Sequence, residues 1–304
     1  MRLFPHKWHR LFLAALIGVT IGSIVTPILV TEGALHIAVR PRPEPNQADA
    51  IVRDSASAWE TARVTASDGV TLDGWLLTPP APNGSGVILL HGVGDTRGGM
   101  AAHASYLLGA GFTVLMPDAR GHGTSGGSVI SYGIREAQDI HTWAEWFLRK
   151  RAIAHLYGLG QSMGAAILLQ SIQREPRFRA IVADCPFDSF EDVAYYRLER
   201  ASRLGRWVSW PVVQTGFLYT RLFYKLDLHQ ASPKDAIRAT TVPILLIHGA
   251  ADVNIPPSES IALHELNPRS TTLWLVPRAQ HIASLRVSPQ EYVRRVTDWF
   301  RSHP

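Results

Sequence analysis

The sequence predicts an α/β fold on a mixed sheet, mostly parallel with eight strands, and three observations carry that reading. Short strand-like runs alternate with helix-patterned ones along the chain. Most of those runs are apolar throughout, not at every second residue, as in strands buried on both faces. The series opens on Arg63–Ala66 and Val70–Leu72 flanking Asp68-Gly69, a hairpin signal because the turn needs positive φ. The remaining strands are expected at Gly86–Leu90, Phe112–Met116, His155–Leu159, Ala180–Ala183, Val242–Ile247 and Thr272–Val276. Helices are expected near 99–110, 131–150, 163–175, 258–266 and 288–302, covering both faces of the sheet.

Ahead of this domain the chain changes character. Residues 1–10 are basic, with Arg2, Lys7, Arg10 and an interfacial Trp8, and residues 11–31 carry no charge. About 20 apolar residues rising ~1.5 Å each match a hydrocarbon layer of about 30 Å, so 11–31 is expected as a transmembrane signal anchor. A cleaved signal peptide, the competing reading, normally has an apolar region of only about 7–15 residues. The cations before the span outweigh Arg40 and Arg42, which Glu32 and Glu44 offset, and this favours a folded domain outside the cytoplasm. Residues 32–59 are expected as a stalk, stiffened by Arg40-Pro41-Arg42-Pro43-Glu44-Pro45, and 60–304 as the folded domain.

The alternation breaks once. The interval between Asp184 and Val242 far exceeds an ordinary connection, so a helical cap is expected over 187–236. Its aromatic residues include Tyr195, Tyr196, Trp207, Trp210, Phe217, Tyr219, Phe223 and Tyr224, the composition of a lid over an apolar substrate or of a helix pair packing on itself. Arg197, Arg200, Arg203 and Arg206 recur every third residue and suggest one cationic face.

Composition excludes several classes. Apolar residues make up 46% and charged ones 18%, as in a globular protein with a substantial core, and the net charge of +5 is scattered, so nucleic acid is not an expected partner. The single Cys185 rules out an internal disulfide and a thiolate zinc cage. No cofactor or metal is expected.

The chemistry concentrates at Gly160-Gln161-Ser162-Met163-Gly164, between a strand and a helical run. G-x-S-x-G in that setting is a nucleophile elbow: a strained turn lifts the serine Oγ above the sheet while glycines let neighbouring backbone pass closely. His91-Gly92-Val93-Gly94-Asp95 follows another strand, and an oxyanion hole needs backbone N–H groups aimed at one point. Met163 and Val93 are the expected donors, with His91 bracing the loop.

His91-Gly92-Val93-Gly94, Asp118-Ala119-Arg120-Gly121-His122-Gly123-Thr124-Ser125-Gly126 and the elbow at Ser162 together resemble the signature loops of the α/β-hydrolase superfamily. They are most similar to its monoacylglycerol-lipase-like and membrane-anchored branches, over residues 60 to 303. The resemblance implies an acid at Asp252 and a base at His281, completing a serine, acid, histidine order. Asp184 is an alternative acid, at a strand end where some relatives carry it, and Asp118 lies in a neighbouring loop. His122 and His248 are expected to brace loops. Ala279-Gln280 departs from the glycine that many relatives place before the histidine. The implied activity is cleavage of a carboxylic ester, lipid-like or long-chain acyl, by a membrane-tethered serine hydrolase. An acyltransferase or a peptidase would use the same triad, and a catalytically silent binding module would use the scaffold without it.

Overall fold

In the computed structural model the described residues are 6–37, 45–53, 55–203 and 205–304, and the side chains at 6–10, 14–19, 21 and 45 lie outside the description. Two helices come first, α1 (His6–Leu35) and α2 (Pro45–Arg53). Strands β1 (Ala58–Thr65) and β2 (Thr71–Thr78) form the expected hairpin, closed by the Ala66 N–H on Val70 O at 2.8 Å, with Gly69 at φ 84°. Then follow β3 (Ser85–Leu90), α3 (Ala101–Gly109), β4 (Thr113–Pro117), α4 (Glu136–Lys150), β5 (His155–Gln161), α5 (Met163–Ser171) and β6 (Phe178–Asp184). The cap contributes α6 (Phe190–Ser202), α7 (Arg206–Tyr219) and α8 (Pro233–Ile237). The chain returns through β7 (Ile244–Gly249), α9 (Ser258–Leu266), β8 (Thr271–Val276), α10 (Ser284–Val287) and α11 (Pro289–Arg301).

The eight strands lie in the order β1-β2-β4-β3-β5-β6-β7-β8. The sheet is mixed: β2 runs antiparallel to both β1 and β4, and every other pairing is parallel. Apolar strands bury both faces because successive side chains point to opposite sides. Along β3, Val87 and Leu89 enter one core with Val114, Val182 and Ile247, while Ile88 and Leu90 enter the other with Leu115, Ile181 and Leu246. All parallel strands therefore end at one edge of a rigid slab, and the loops there are held by the sheet.

Some boundaries move for local reasons. The helix expected from 131 begins at Glu136, because the Glu136 carboxylate turns back to accept the backbone N–H groups of Ser131 (2.8 Å) and Gly133 (2.9 Å). A glutamate spent on capping the preceding loop delays the helix. Strand β7 begins two residues late, at Ile244, after Pro243, which has no N–H to donate but whose carbonyl still accepts from Ile181 at 3.0 Å.

Of the N-terminal expectations, the stalk needs correction and the anchor finds no support among the described residues. Among the described residues no helix is long and apolar enough to cross a membrane, and the side chains at 14–19 and 21, inside the expected span, lie outside the described set. Helix α1 does cover 11–31, but its last turns belong to the folded domain. Leu35 is fully buried in the main core, a burial worth about 2 kcal/mol. Glu32 accepts hydrogen bonds from Tyr219 and Tyr224 of the cap, each at 2.7 Å. The segment expected as a stalk thus carries the end of α1 and, further on, α2 with Ala48 and Ile51 buried; the proline-rich 38–44 lies outside the described residues.

The cap sits between β6 and β7, on the edge where the parallel strands end. Helices α6 and α7 pack on each other through Gln214, which donates to Glu191 (2.8 Å) and Tyr195 (2.7 Å). The aromatic set divides: Tyr195 and Phe217 face inward, while Trp207 is 95% and Phe223 72% exposed. The single cationic face does not form. Helix α6 ends at Ser202, Arg203 turns left-handed at φ 56°, and Arg206 starts the next helix with its guanidinium 3.4 Å over the Tyr195 ring.

Candidate active site

Ser162 stands between β5 and α5 at φ 53° and ψ −118°, a conformation disfavoured for any residue with a Cβ. Its N–H is held by the backbone carbonyl of Asp184 at 2.8 Å. The flanking glycines are required by close packing. A Cβ on Gly160 would come within 2.5 Å of the Gly164 carbonyl, and one on Gly164 would collide with the backbone of Leu90. The bend is affordable only because β3, β5 and α5 over-determine it.

Two further loops converge on the serine. His281 places Nε2 at 2.9 Å from Ser162 Oγ and Nδ1 at 2.6 Å from Asp252 Oδ2. An ionised Asp252 can only accept, so Nδ1 carries the proton and Nε2 is free to take one from Oγ. The departure at Ala279-Gln280 does not prevent this, because the loop makes its left-handed turns elsewhere, at Arg278 (φ 63°) and Ile282 (φ 50°). Gly249 lets the acid loop approach the histidine loop, since a Cβ there would meet Gln280 O at 2.6 Å.

Asp252 is buried, which by itself raises its pKa. Hydrogen bonds from His248 and His281, the His281 charge and the Ile255 N–H outweigh burial and hold the carboxyl well below the usual range. Oδ1 accepts from the backbone of Asn254 (2.8 Å) and Ile255 (3.1 Å). His248 is therefore more than a loop brace: its Nε2 donates to Ile255 O at 3.0 Å and lies 3.3 Å from Asp252 Oδ2. Cys185, His248 and Asp252 bring possible metal ligands within 4.8 Å of one another. Both His248 nitrogens are already engaged, the other by Ser260 Oγ at 2.7 Å, and the Cys185 thiol donates to Asp184 at 3.4 Å, so these side chains serve as hydrogen-bonding braces.

Neither alternative acid reaches His281. Asp184 is fully buried, its carboxyl pKa raised by that burial, and it accepts from Gln161 (3.2 Å) and Tyr292 (3.1 Å) beneath the elbow. Asp118 pairs with Arg97 at 2.5 Å and accepts the backbone N–H groups of Arg97 and Thr124. Its task is to tie the loop after β3 to the loop after β4.

That tie positions Val93. Gly92 lies so close to the elbow that a Cβ on it would be 3.4 Å from the Ser162 Cβ. His91 donates from Nδ1 to Gly92 O (2.8 Å) and accepts the Ala119 N–H (3.1 Å). His122 donates to Arg120 O (3.0 Å) and accepts the Gly94 N–H (3.2 Å). The loop is thus clamped on both sides of Val93. Val93 follows Gly92 and Met163 follows Ser162, so their N–H groups belong to the two loops that meet at the close contact between Gly92 and Ser162.

Burial pushes the pKa values of His91 and His122 down to about 4 from 6.5, so both rings are neutral in the folded protein. The stability this contributes is complete above pH 6.5, where unfolded imidazoles are also neutral, and is lost as pH falls toward 4. The loss is at most about 3 kcal/mol per ring. The urea midpoint should therefore drop between about pH 7 and about pH 4.5; a constant midpoint would show that the rings are not kept neutral by folding.

The serine aminopeptidase family model matches residues 81–215. The uncharacterized protein YfhR of Escherichia coli is 31% identical over 234 residues, covering 73% of each chain. The chain belongs to the α/β-hydrolase superfamily of serine hydrolases. Among other relatives of this hydrolase, the uncharacterized protein YqkD of Bacillus subtilis is 28% identical over 240 residues, covering 78% of this chain and 77% of YqkD. Among solved structures, the Pyrococcus furiosus esterase Pf2001 superimposes with a TM-score of 0.70 at 23% identity, over 88% of this hydrolase and 98% of the esterase. The Pyrococcus horikoshii acylaminoacyl peptidase gives a TM-score of 0.63 at 19% identity, over 81% of this hydrolase and 42% of the peptidase. These likenesses establish the fold of the hydrolase; its substrate is a separate question.

Proposed function

We propose that the protein cleaves carboxylic esters of apolar acids through an acyl-enzyme on Ser162, from a membrane-tethered position. The observation that carries this is the unbroken relay from Ser162 Oγ to His281 at 2.9 Å and from His281 to Asp252 at 2.6 Å. In this reading His281 Nε2 takes the Oγ proton as Oγ bonds to the ester carbonyl carbon. The carbonyl π electrons move onto oxygen, where the N–H groups of Val93 and Met163 hold the negative charge. Collapse breaks the bond to the leaving alcohol, which departs with the proton from His281. Water then gives its proton to His281 and attacks the acyl-serine, releasing the acid and restoring Ser162.

A fluorophosphonate probe tests the reading. Labelling of the full chain that disappears in Ser162→Ala supports it, and no labelling of folded protein overturns it. A peptidase would use the same relay, and the matching family model favours including that substrate class. Parallel turnover of p-nitrophenyl esters and aminoacyl p-nitroanilides separates the two.

Support for the tether comes from the uncharged stretch 11–31 behind Arg2, Lys7 and Arg10. The same charge bias supports an extracytoplasmic catalytic domain. Alkaline carbonate extraction should leave the protein in the membrane fraction, and a reporter fused after Pro304 should read out on the extracytoplasmic side. Release into the carbonate supernatant would eliminate the tether.

A further inference from the structure

A cavity of about 260 Å³ lies between the end of α1 and the cap. Val30, Thr31 and Ala34 of α1 form one wall, and Ala194, Val213 and Phe217 of the cap face them. The lining is apolar apart from Thr31 and the exposed Arg197. An apolar cavity of about 150 Å³ already takes a benzene ring, so this one has room for a longer hydrocarbon group.

The α1 wall is fixed in place. Besides the Glu32 bonds to the two cap tyrosines, Tyr132 donates its hydroxyl to Ala34 O at 2.7 Å and the Ile130 N–H donates to Leu35 O at 3.0 Å. Gly216 allows α7 to meet α1 closely, since a Cβ there would collide with Thr31 Oγ1. From the cavity, Phe190 meets Phe187 edge-on at 6.3 Å, and Cys185, two residues before Phe187, accepts the N–H of Ile282 beside the catalytic histidine at 3.4 Å. Phe190 lines the cavity, stacks on Tyr132 at 3.8 Å, and shares one apolar cluster with Met163, against which Val93 packs.

We propose that this cavity receives the acyl chain of the ester that Ser162 attacks, with the N-terminal helix as one of its walls; the inference rests on the hydrolase reading. The lining selects the occupant. A peptide would bury backbone N–H and C=O groups against side chains that offer almost no partners, whereas a hydrocarbon chain leaves nothing unpaired. The uncharged run 11–31 ends at this wall, and Trp207, Trp210 and Phe223 are exposed on the adjoining cap. An amphiphile held at an apolar surface would reach the cavity without its chain crossing water.

The test uses the full-length protein in detergent micelles and reads the ratio of p-nitrophenyl octanoate to p-nitrophenyl acetate turnover, which does not depend on the fraction of active protein. Ala34→Phe fills the cavity from the helix side and Ala194→Phe from the cap side. Each should lower the ratio by about tenfold or more, the scale on which apolar pockets discriminate by size. An unchanged ratio in both variants overturns the acyl-chain assignment and leaves the hydrolase reading standing. Wild-type protein that turns over neither ester and takes no fluorophosphonate label overturns both.

Discussion

Ser162→Ala is expected to reduce ester turnover by about a million-fold while leaving the protein folded, because a triad acts as a unit and loses nearly everything with its nucleophile. Alanine keeps the Cβ, so the strained φ of 53° and the packing of Gly160 and Gly164 around it are not disturbed. Only the Oγ that meets His281 at 2.9 Å is removed. Single-turnover measurement with an activated ester, beside a thermal melt, separates loss of chemistry from loss of fold. Residual turnover within tenfold of wild type, from a protein with an unchanged melt, would remove Ser162 from the mechanism.

Asp252→Asn should lower kcat by about ten-thousand-fold, and for a different reason. The substitution keeps the shape and the Oδ1 acceptor that holds the N–H groups of Asn254 and Ile255. It replaces the oxygen facing His281 Nδ1 with an NH2 group. The imidazole must then move its proton to Nε2, where it can no longer accept from Ser162. His248 would also face a donor across what is now a 3.3 Å contact. The prediction therefore combines a collapse of kcat with little change in KM, and steady-state kinetics on a short ester checks it. Combining Asp252→Asn with Ser162→Ala should cost no more than Ser162→Ala alone, since the relay is already broken. A loss confined to KM would assign Asp252 to substrate binding.

Much of this site is legible in one dimension because its signals are local. Gly160, Ser162 and Gly164 must sit in that spacing for one tight bend, and a bend of that kind needs a strand before it and a helix after it. His281 and Asp252 are nominated by the resemblance to the α/β-hydrolase loops, in a chain order that the fold permits. The bracing around them is not local. Nothing in the spacing of His122 says that it accepts the N–H of Gly94, 28 residues away. His248 was visible as a loop residue, yet its second contact, to Asp252, depends on how the chain turns after β7.

The cap shows the same division. Aromatic enrichment marks the insertion, but which rings face inward depends on where α6 stops, and that is set by Arg203 adopting a left-handed turn. The periodic arginines therefore do not share a face. The N-terminal helix departs furthest from expectation. An apolar run reads as a free-standing anchor until Tyr219 and Tyr224, 187 and 192 residues away from Glu32, are seen to hold its end.

By itself the sequence determined the order of strands and helices and the elbow at Ser162, since these follow from side-chain periodicity and from backbone conformations few residues can adopt. Tertiary structure alone decided which acid faces the imidazole, what clamps the loop at Val93, and that the first helix closes a cavity against the cap. Such contacts join segments far apart in the chain, and burial and hydrogen bonding across that distance leave no periodic trace in composition.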